Sequence, residues 1–188
     1  RCRYGLMLDE NGMVMDDGVG ACLAENQFLI TTTTGGAASV LNWLETWHQT
    51  EWPELKLWMT SVTDHWATIA VVGPKARQLL DSLDSTLDLS TEAFPFMRSQ
   101  TITLAGIELV ALRVSFTGDL GWELHCKTED QEALYSALIE AGKEFGAGPV
   151  GGRALMSLRV EKGYGSWSRE YSPEYWPQEV GLDRFAGR

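Results

Sequence analysis

The sequence has little positive charge. Its 15 Lys+Arg stand against 26 Asp+Glu, a formal net charge of −11. Nucleic acid is thereby excluded as the main partner, because phosphate binding needs a basic surface. No apolar run approaches the roughly 18 residues that span a bilayer, so no membrane partner is expected. Histidine and cysteine are scarce, with three of each. Cys2, Cys22 and Cys126 are scattered and form no CxxC pair. Neither a zinc site nor a disulfide framework is expected, and no metal is assigned. The plain reading is three reduced thiols packed as small hydrophobes, in a cytoplasm-like reducing compartment. Gly35-Gly36 and Gly73-Pro74 match neither a dinucleotide fingerprint nor a P-loop, and no Ser or Cys sits in a nucleophile elbow. An initiating Met is also missing. The start Arg1-Cys2-Arg3 reads as a segment cut from a longer polypeptide.

What is present is globular. Apolar residues make up 44% of the 188 and charged residues 22%, which argues against disorder. Residues 4–8, the Asn11-Gly12 turn and the stretch from Met13 to Ala21 predict a β-hairpin. A third strand is expected over 27–33. A helix over 37–49 would carry Val40, Leu41, Leu44 and Trp47 on one face. Strands over 56–61 and 67–72 follow. After Gly73-Pro74 a second helix groups Ala76, Leu79, Leu80 and Leu83. Residues 84–95 are polar and turn-rich and read as an internal linker. Beyond them come strands over 100–104, 107–115 and 121–126, with a tight turn at Ala105-Gly106. Helices over 129–145 and 153–161 follow, then an aromatic-pinned surface loop over 163–188. The order implies an α+β fold: antiparallel sheets flanked by helices, in two related halves, 1–83 and 96–162.

Three places break the local rules. Asp16-Asp17 lies inside a strand, where Asp is disfavoured. By alternation Asp17 shares a face with Met13, Met15 and Val19, so Asp17 is read as the inward carboxylate, suited to hold or move a proton on a ligand. The bland alternative is an Asp bonded to its own turn or to a nearby Arg. Second, Glu123 follows Trp122 in an apolar strand after the turn Phe116-Thr117-Gly118-Asp119. A carboxylate there can accept paired N–H groups of a heterocycle, with Trp122 beside the ligand. The alternative is a solvent-facing strand residue. Third, Arg153 follows Gly151-Gly152 and opens a helix, where a cation is unfavourable unless an anion shares the site. The alternative is a solvated Arg. Arg159, Glu161 and Lys162 read as a solvated helix face. His48, His65 and His125 read as isolated from any acid at ligand spacing.

These features occur in a distinctive order. It runs Met13-Val14-Met15-Asp16-Asp17-Gly18-Val19, then Phe28-Leu29-Ile30-Thr31-Thr32-Thr33, then Trp66 to Pro74, then Ser115 to Glu123, then Gly152-Arg153-Ala154-Leu155 through Gly163. The series resembles the folate-binding aminomethyltransferase domain of the glycine cleavage T-protein family. It looks most like the form found as the C-terminal half of dimethylglycine and sarcosine dehydrogenase or oxidase flavoproteins. Thr31 to Gly36, Glu51-Trp52-Pro53 and the tail Trp167-Ser168-Arg169-Glu170 are the flavoprotein-like touches.

The resemblance implies tetrahydrofolate as cofactor and a small methylated-amine-derived substrate. The chemistry implied is one-carbon transfer to N5 of tetrahydrofolate, giving 5,10-methylenetetrahydrofolate. It assigns Asp17 to proton transfer at the folate amines, Glu123 to the pterin ring and Arg153 to folate binding. Thr33 and Phe116 stand where the family has an Asn and a Tyr beside the folate. The resemblance further implies that the present chain is an incomplete piece of the family domain, with neighbouring domains before and after it and FAD held only by an upstream one. A stand-alone aminomethyltransferase or demethylase, and a folate-binding module without turnover, are the alternative readings.

Overall fold

A computed structural model of the chain describes residues 1–84 and 86–186; Ser85 of the expected linker and Gly187 and Arg188 of the expected tail lie outside the described residues. Among the described residues, seven strands and four α-helices are formed, in the order β1 (Cys2–Leu8), β2 (Val14–Ala24), β3 (Gln27–Ile30), α1 (Ala37–Thr50), β4 (Trp66–Val72), α2 (Ala76–Leu83), β5 (Ser99–Leu104), β6 (Ile107–Leu112), β7 (Gly121–Lys127), α3 (Gln131–Gly142) and α4 (Gly152–Lys162). Among the described residues no helix is long and apolar enough to cross a membrane, and no group of three potential ligands could hold a metal ion.

The architecture is α+β, as the hairpin and helix periodicities imply. One sheet has the order β1-β2-β3; the other has the order β4-β7-β6-β5 and is antiparallel throughout. The chain forms two compact units that interleave in sequence. The first comprises Arg1–Cys2, Ala21–Leu29 and His65–Tyr164; the second comprises Arg3–Gly20, Ile30–Asp64 and Gly165–Arg188. Each unit is built from three separate segments, unlike the expected sequential halves 1–83 and 96–162. Residues 84–95 lie inside the first unit, where Leu89 and Phe94 are buried in its core. Their polar neighbours gave the stretch the composition of a linker, but two large apolar side chains anchor it.

In the first unit, α2 and α3 pack together and cover one face of the four-stranded sheet. Ala76, Leu79 and Leu80 of α2 meet Leu134 and Leu138 of α3 over Leu124 and Cys126 of β7. Alternation along β7 sends Trp122, Leu124 and Cys126 to this core and Glu123 and His125 to the opposite face. The tight turn between β5 and β6 needs positive φ at two successive residues, and Ala105 and Gly106 adopt 50° and 78°.

In the second unit, the turn after β1 is held by Asp9. Its side chain accepts the amides of Asn11 and Met13 at 2.9 and 2.8 Å, while Gly12 takes φ 78°. Val14, Tyr171 and Leu182 form a small core, joined by Tyr4, Leu6, Trp167 and Phe185. Among the described residues of the tail no helix exceeds one turn, and Trp167, Tyr171 and Phe185 pack into this core.

Three further expectations are corrected. Residues 56–61 form no strand, because no neighbouring strand offers them a ladder; Leu57 and Met59 instead line a groove with Trp43 and Trp47 of α1. Cys22 is exposed rather than packed, in contrast to Cys2 and Cys126. Arg159 is buried, not solvated: its guanidinium donates to the carbonyl of Tyr164 at 2.9 Å, closing the C-terminal end of α4.

Candidate functional site

The paired acids on β2 are the best-defined polar cluster in the second unit. Strand alternation and burial run opposite to expectation for this pair. Asp16 is the inward residue, 1% exposed, and Asp17 is half-buried. The sequence pattern placed Asp17 with Met13 and Met15, but the face that reaches the interior carries Val14 and Asp16.

Asp16 is buried because it is satisfied. Its Oδ1 accepts the amides of Asp17 at 2.8 Å and Thr33 at 3.2 Å; its Oδ2 accepts the Thr33 hydroxyl at 2.8 Å. A carboxylate that accepts three donors is stable away from water. The cluster closes only because residue 36 is glycine: a Cβ there would stand 2.1 Å from Asp16 Oδ2 and 2.6 Å from Thr33 Oγ1. Thr33 was expected at the ligand. Its amide and its hydroxyl proton are both committed to Asp16.

Asp17 has a different partner. The phenol of Tyr4 on β1 donates to Asp17 Oδ2 at 2.8 Å. Burial pushes the Asp17 carboxyl above the usual carboxylate range; the Tyr4 hydrogen bond opposes this, and the neighbouring Asp16 charge adds to it. Burial and the Asp17 charge hold the Tyr4 phenol well above its own usual range, so it stays a donor. Sequence reading missed Tyr4. The signal was there in the hairpin itself, which lays β1 alongside β2.

In the first unit Trp122 and Glu123 part company, as adjacent strand residues must. Trp122 is fully buried, with Phe94 edge-on at 6.2 Å and the Arg77 and Arg113 guanidinia over its ring at 5.9 and 5.5 Å. It packs as a core residue with no exposed surface. Glu123, on the other face, keeps 31% of its side chain exposed, and its Oε2 lies 3.5 Å from Nε2 of buried His125. His125 Nδ1 is 2.9 Å from the Thr68 hydroxyl on β4. The histidine is therefore not isolated from acids. Glu123 and His125 stand two apart on one strand and so share a face.

Phe116 is half-buried in the loop after β6, where Thr117 donates to Asp119 at 2.9 Å. Gly118 takes φ 79° and the Lys162 side chain lies over it. Arg153 is exposed in the first turn of α4, behind the Gly151 N-cap, and no side chain caps that end. Asp17 and Thr33 lie in the second unit; Phe116, Trp122, Glu123 and Arg153 lie in the first.

The model of the family described as "GCVT N-terminal domain" matches residues 1–187. The chain belongs to that family. This GCVT N-terminal domain is 45% identical over 182 residues to sarcosine oxidase subunit alpha of Corynebacterium sp. (strain U-96), covering 96% of the chain and 19% of that protein. It is 34% identical over 179 residues to mitochondrial dimethylglycine dehydrogenase of Mus musculus, covering 95% of the chain and 20% of that protein. Its fold matches the crystal structure of the glycine cleavage system aminomethyltransferase T from Bartonella henselae with a TM-score of 0.82 at 23% identity, over 100% of this chain and 48% of that one. The domain thus spans about a fifth of the first two relatives. Relatives of this GCVT domain are larger enzymes, one of them a subunit of an assembly.

Proposed function

We propose that the domain binds tetrahydrofolate and transfers a one-carbon unit to it, within a larger flavoenzyme that oxidises dimethylglycine or sarcosine. The observation that carries this reading is the Asp17 carboxyl: half-buried, raised in pKa, and held through one oxygen by Tyr4. A carboxyl raised above the usual carboxylate range by burial and held in one pose can exchange a proton with a ligand amine.

The residues present fit the ligand's chemistry. A pterin edge offers paired N–H donors, and Glu123 is a partly exposed carboxylate that can accept them. A folate tail ends in carboxylates, and the exposed Arg153 at the uncapped start of α4 combines a guanidinium with free backbone amides. Phe116 offers a partly exposed ring beside the 117–119 turn. Trp122 is left out of this set because it has no exposed surface, and Thr33 because it serves Asp16.

Tetrahydrofolate, once bound, would supply the amine that attacks the iminium carbon left by oxidation of the methylated amine, giving 5,10-methylenetetrahydrofolate with release of the demethylated amine. Asp17 holds or moves the amine proton. Within the first unit, Glu123 has the acceptor for a heterocycle edge and Arg153 the charge for an anionic tail. No covalent protein nucleophile is needed, so the chain's contribution is positioning plus one acid–base group. The deciding experiment is calorimetric titration of tetrahydrofolate into the full-length protein, paired with an assay of methylenetetrahydrofolate formation. Binding with turnover supports the proposal. Absence of binding refutes it, and binding without turnover reduces the domain to a folate-holding module.

A further inference from the structure

Tyr4 packs against the second unit's small core, and its hydroxyl donates to Asp17. Phe185 holds the Tyr4 ring edge-on at 4.8 Å, and the Arg184 guanidinium stacks 4.6 Å above Phe185. The ring therefore has little freedom to leave Asp17. Across the strand, Asp16 fixes the Asp17 amide at 2.8 Å. Asp17 is thus gripped at its backbone by one residue and at one carboxyl oxygen by another.

We propose that Tyr4 is the positioning residue of the Asp17 carboxylate: its phenol takes Oδ2 and leaves the other oxygen to exchange a proton with a bound amine. The inference rests on the folate reading given above. A buried carboxyl with both oxygens free would rotate between equivalent poses. With one oxygen tied, its remaining lone pairs have a fixed direction, which is what proton transfer to a positioned amine requires. Tyr4 also tunes the group. A donor on the carboxylate favours the ionised form, against burial and the Asp16 charge. The titratable and charged groups set around Asp17 are Tyr4 on β1 and Asp16 on β2, with Tyr171 of the tail next to Tyr4 and Arg184 behind Phe185.

The test is Tyr4→Phe in the full-length protein, which keeps the ring and its contact with Phe185. Two readouts are followed against pH: tetrahydrofolate affinity by calorimetry, and methylenetetrahydrofolate formation. Loss of the donor should move the acid limb of both up by about one pH unit, the worth of one hydrogen bond to a charged group. Unchanged midpoints overturn the proposal. A fluorinated tyrosine at position 4 is the stronger donor and disturbs packing least. It should move both midpoints down, and it decides the matter if the Phe variant does not fold. Asp17→Asn separates the two levels. Full transfer in that variant removes Asp17, and Tyr4 with it, from the reaction while folate transfer itself stands, whereas lost transfer beside an unmoved Tyr4→Phe profile sinks only the role of Tyr4.

Discussion

Asp16 takes both the amide and the hydroxyl of Thr33, at 3.2 and 2.8 Å, and so ties β2 to the loop that leads into α1. This bond pair is what allows an acid to sit at 1% exposure beside a second acid. The fully satisfied acid and the acid proposed for proton transfer are thus neighbours in sequence.

Removing the Thr33 hydroxyl should therefore cost stability rather than ligand contacts. Thr33→Val leaves Asp16 short of one donor in a buried site, a loss of about 1–3 kcal/mol, while Thr33→Ser restores most of it. Denaturant unfolding of the full-length protein measures both. A neutral Thr33→Val would contradict the assignment.

Gly36→Ala tests the same cluster from the other side. The added Cβ would meet Asp16 Oδ2 at 2.1 Å, and that carboxylate is too well held to move freely. A loss of about 1–3 kcal/mol is expected from overpacking, read as a lowered thermal midpoint.

Asp17→Asn should reduce methylenetetrahydrofolate formation by about 10²-fold or more, the usual contribution of a placed acid–base group. Flavin reduction by the amine is the control reaction, expected to continue. Stability should move the opposite way. Burial raises the folded-state pKa of Asp17, so its ionised form disfavours the fold as pH climbs through that value. The Asn variant should melt higher than wild type at neutral pH, and the gap should close as pH falls below the ordinary carboxylate range.

On the proposed folate reading, Glu123→Gln exchanges an acceptor for a donor at the pterin edge. Tetrahydrofolate affinity should fall roughly tenfold to a hundredfold, the value of a charged hydrogen bond. Calorimetry on the folded variant reads it; equal affinity would remove Glu123 from the site.

Trp122→Phe should behave in the reverse manner. The indole is fully buried against Phe94 and two guanidinia, so truncation costs packing, and even the milder Phe should lose about 1–2 kcal/mol. Folate affinity of the folded variant should stay within about twofold of wild type, a difference well below one hydrogen bond. A large affinity loss without a stability loss would return Trp122 to the ligand.

The sequence by itself determined the α+β class, the first hairpin, the helix faces and the family, because each rests on local chemistry or on an ordered set of motifs. The Asn11-Gly12 and Ala105-Gly106 turns, the period of α2 and the Asp16-Asp17 pair are all written within a few residues. What it could not determine depended on which surfaces meet. Strand alternation says that Asp16 and Asp17 face opposite ways, but not which way is in; Val14 and the Thr33 loop decided that. Trp122 and Glu123 likewise had to part, and only the cover given by α2 and α3 put the indole in the core. Residues 84–95 have a linker's composition, and only the burial of Leu89 and Phe94 made them part of a unit. Tyr4 acquired its meaning through a partner 13 residues away, a distance at which no local pattern speaks.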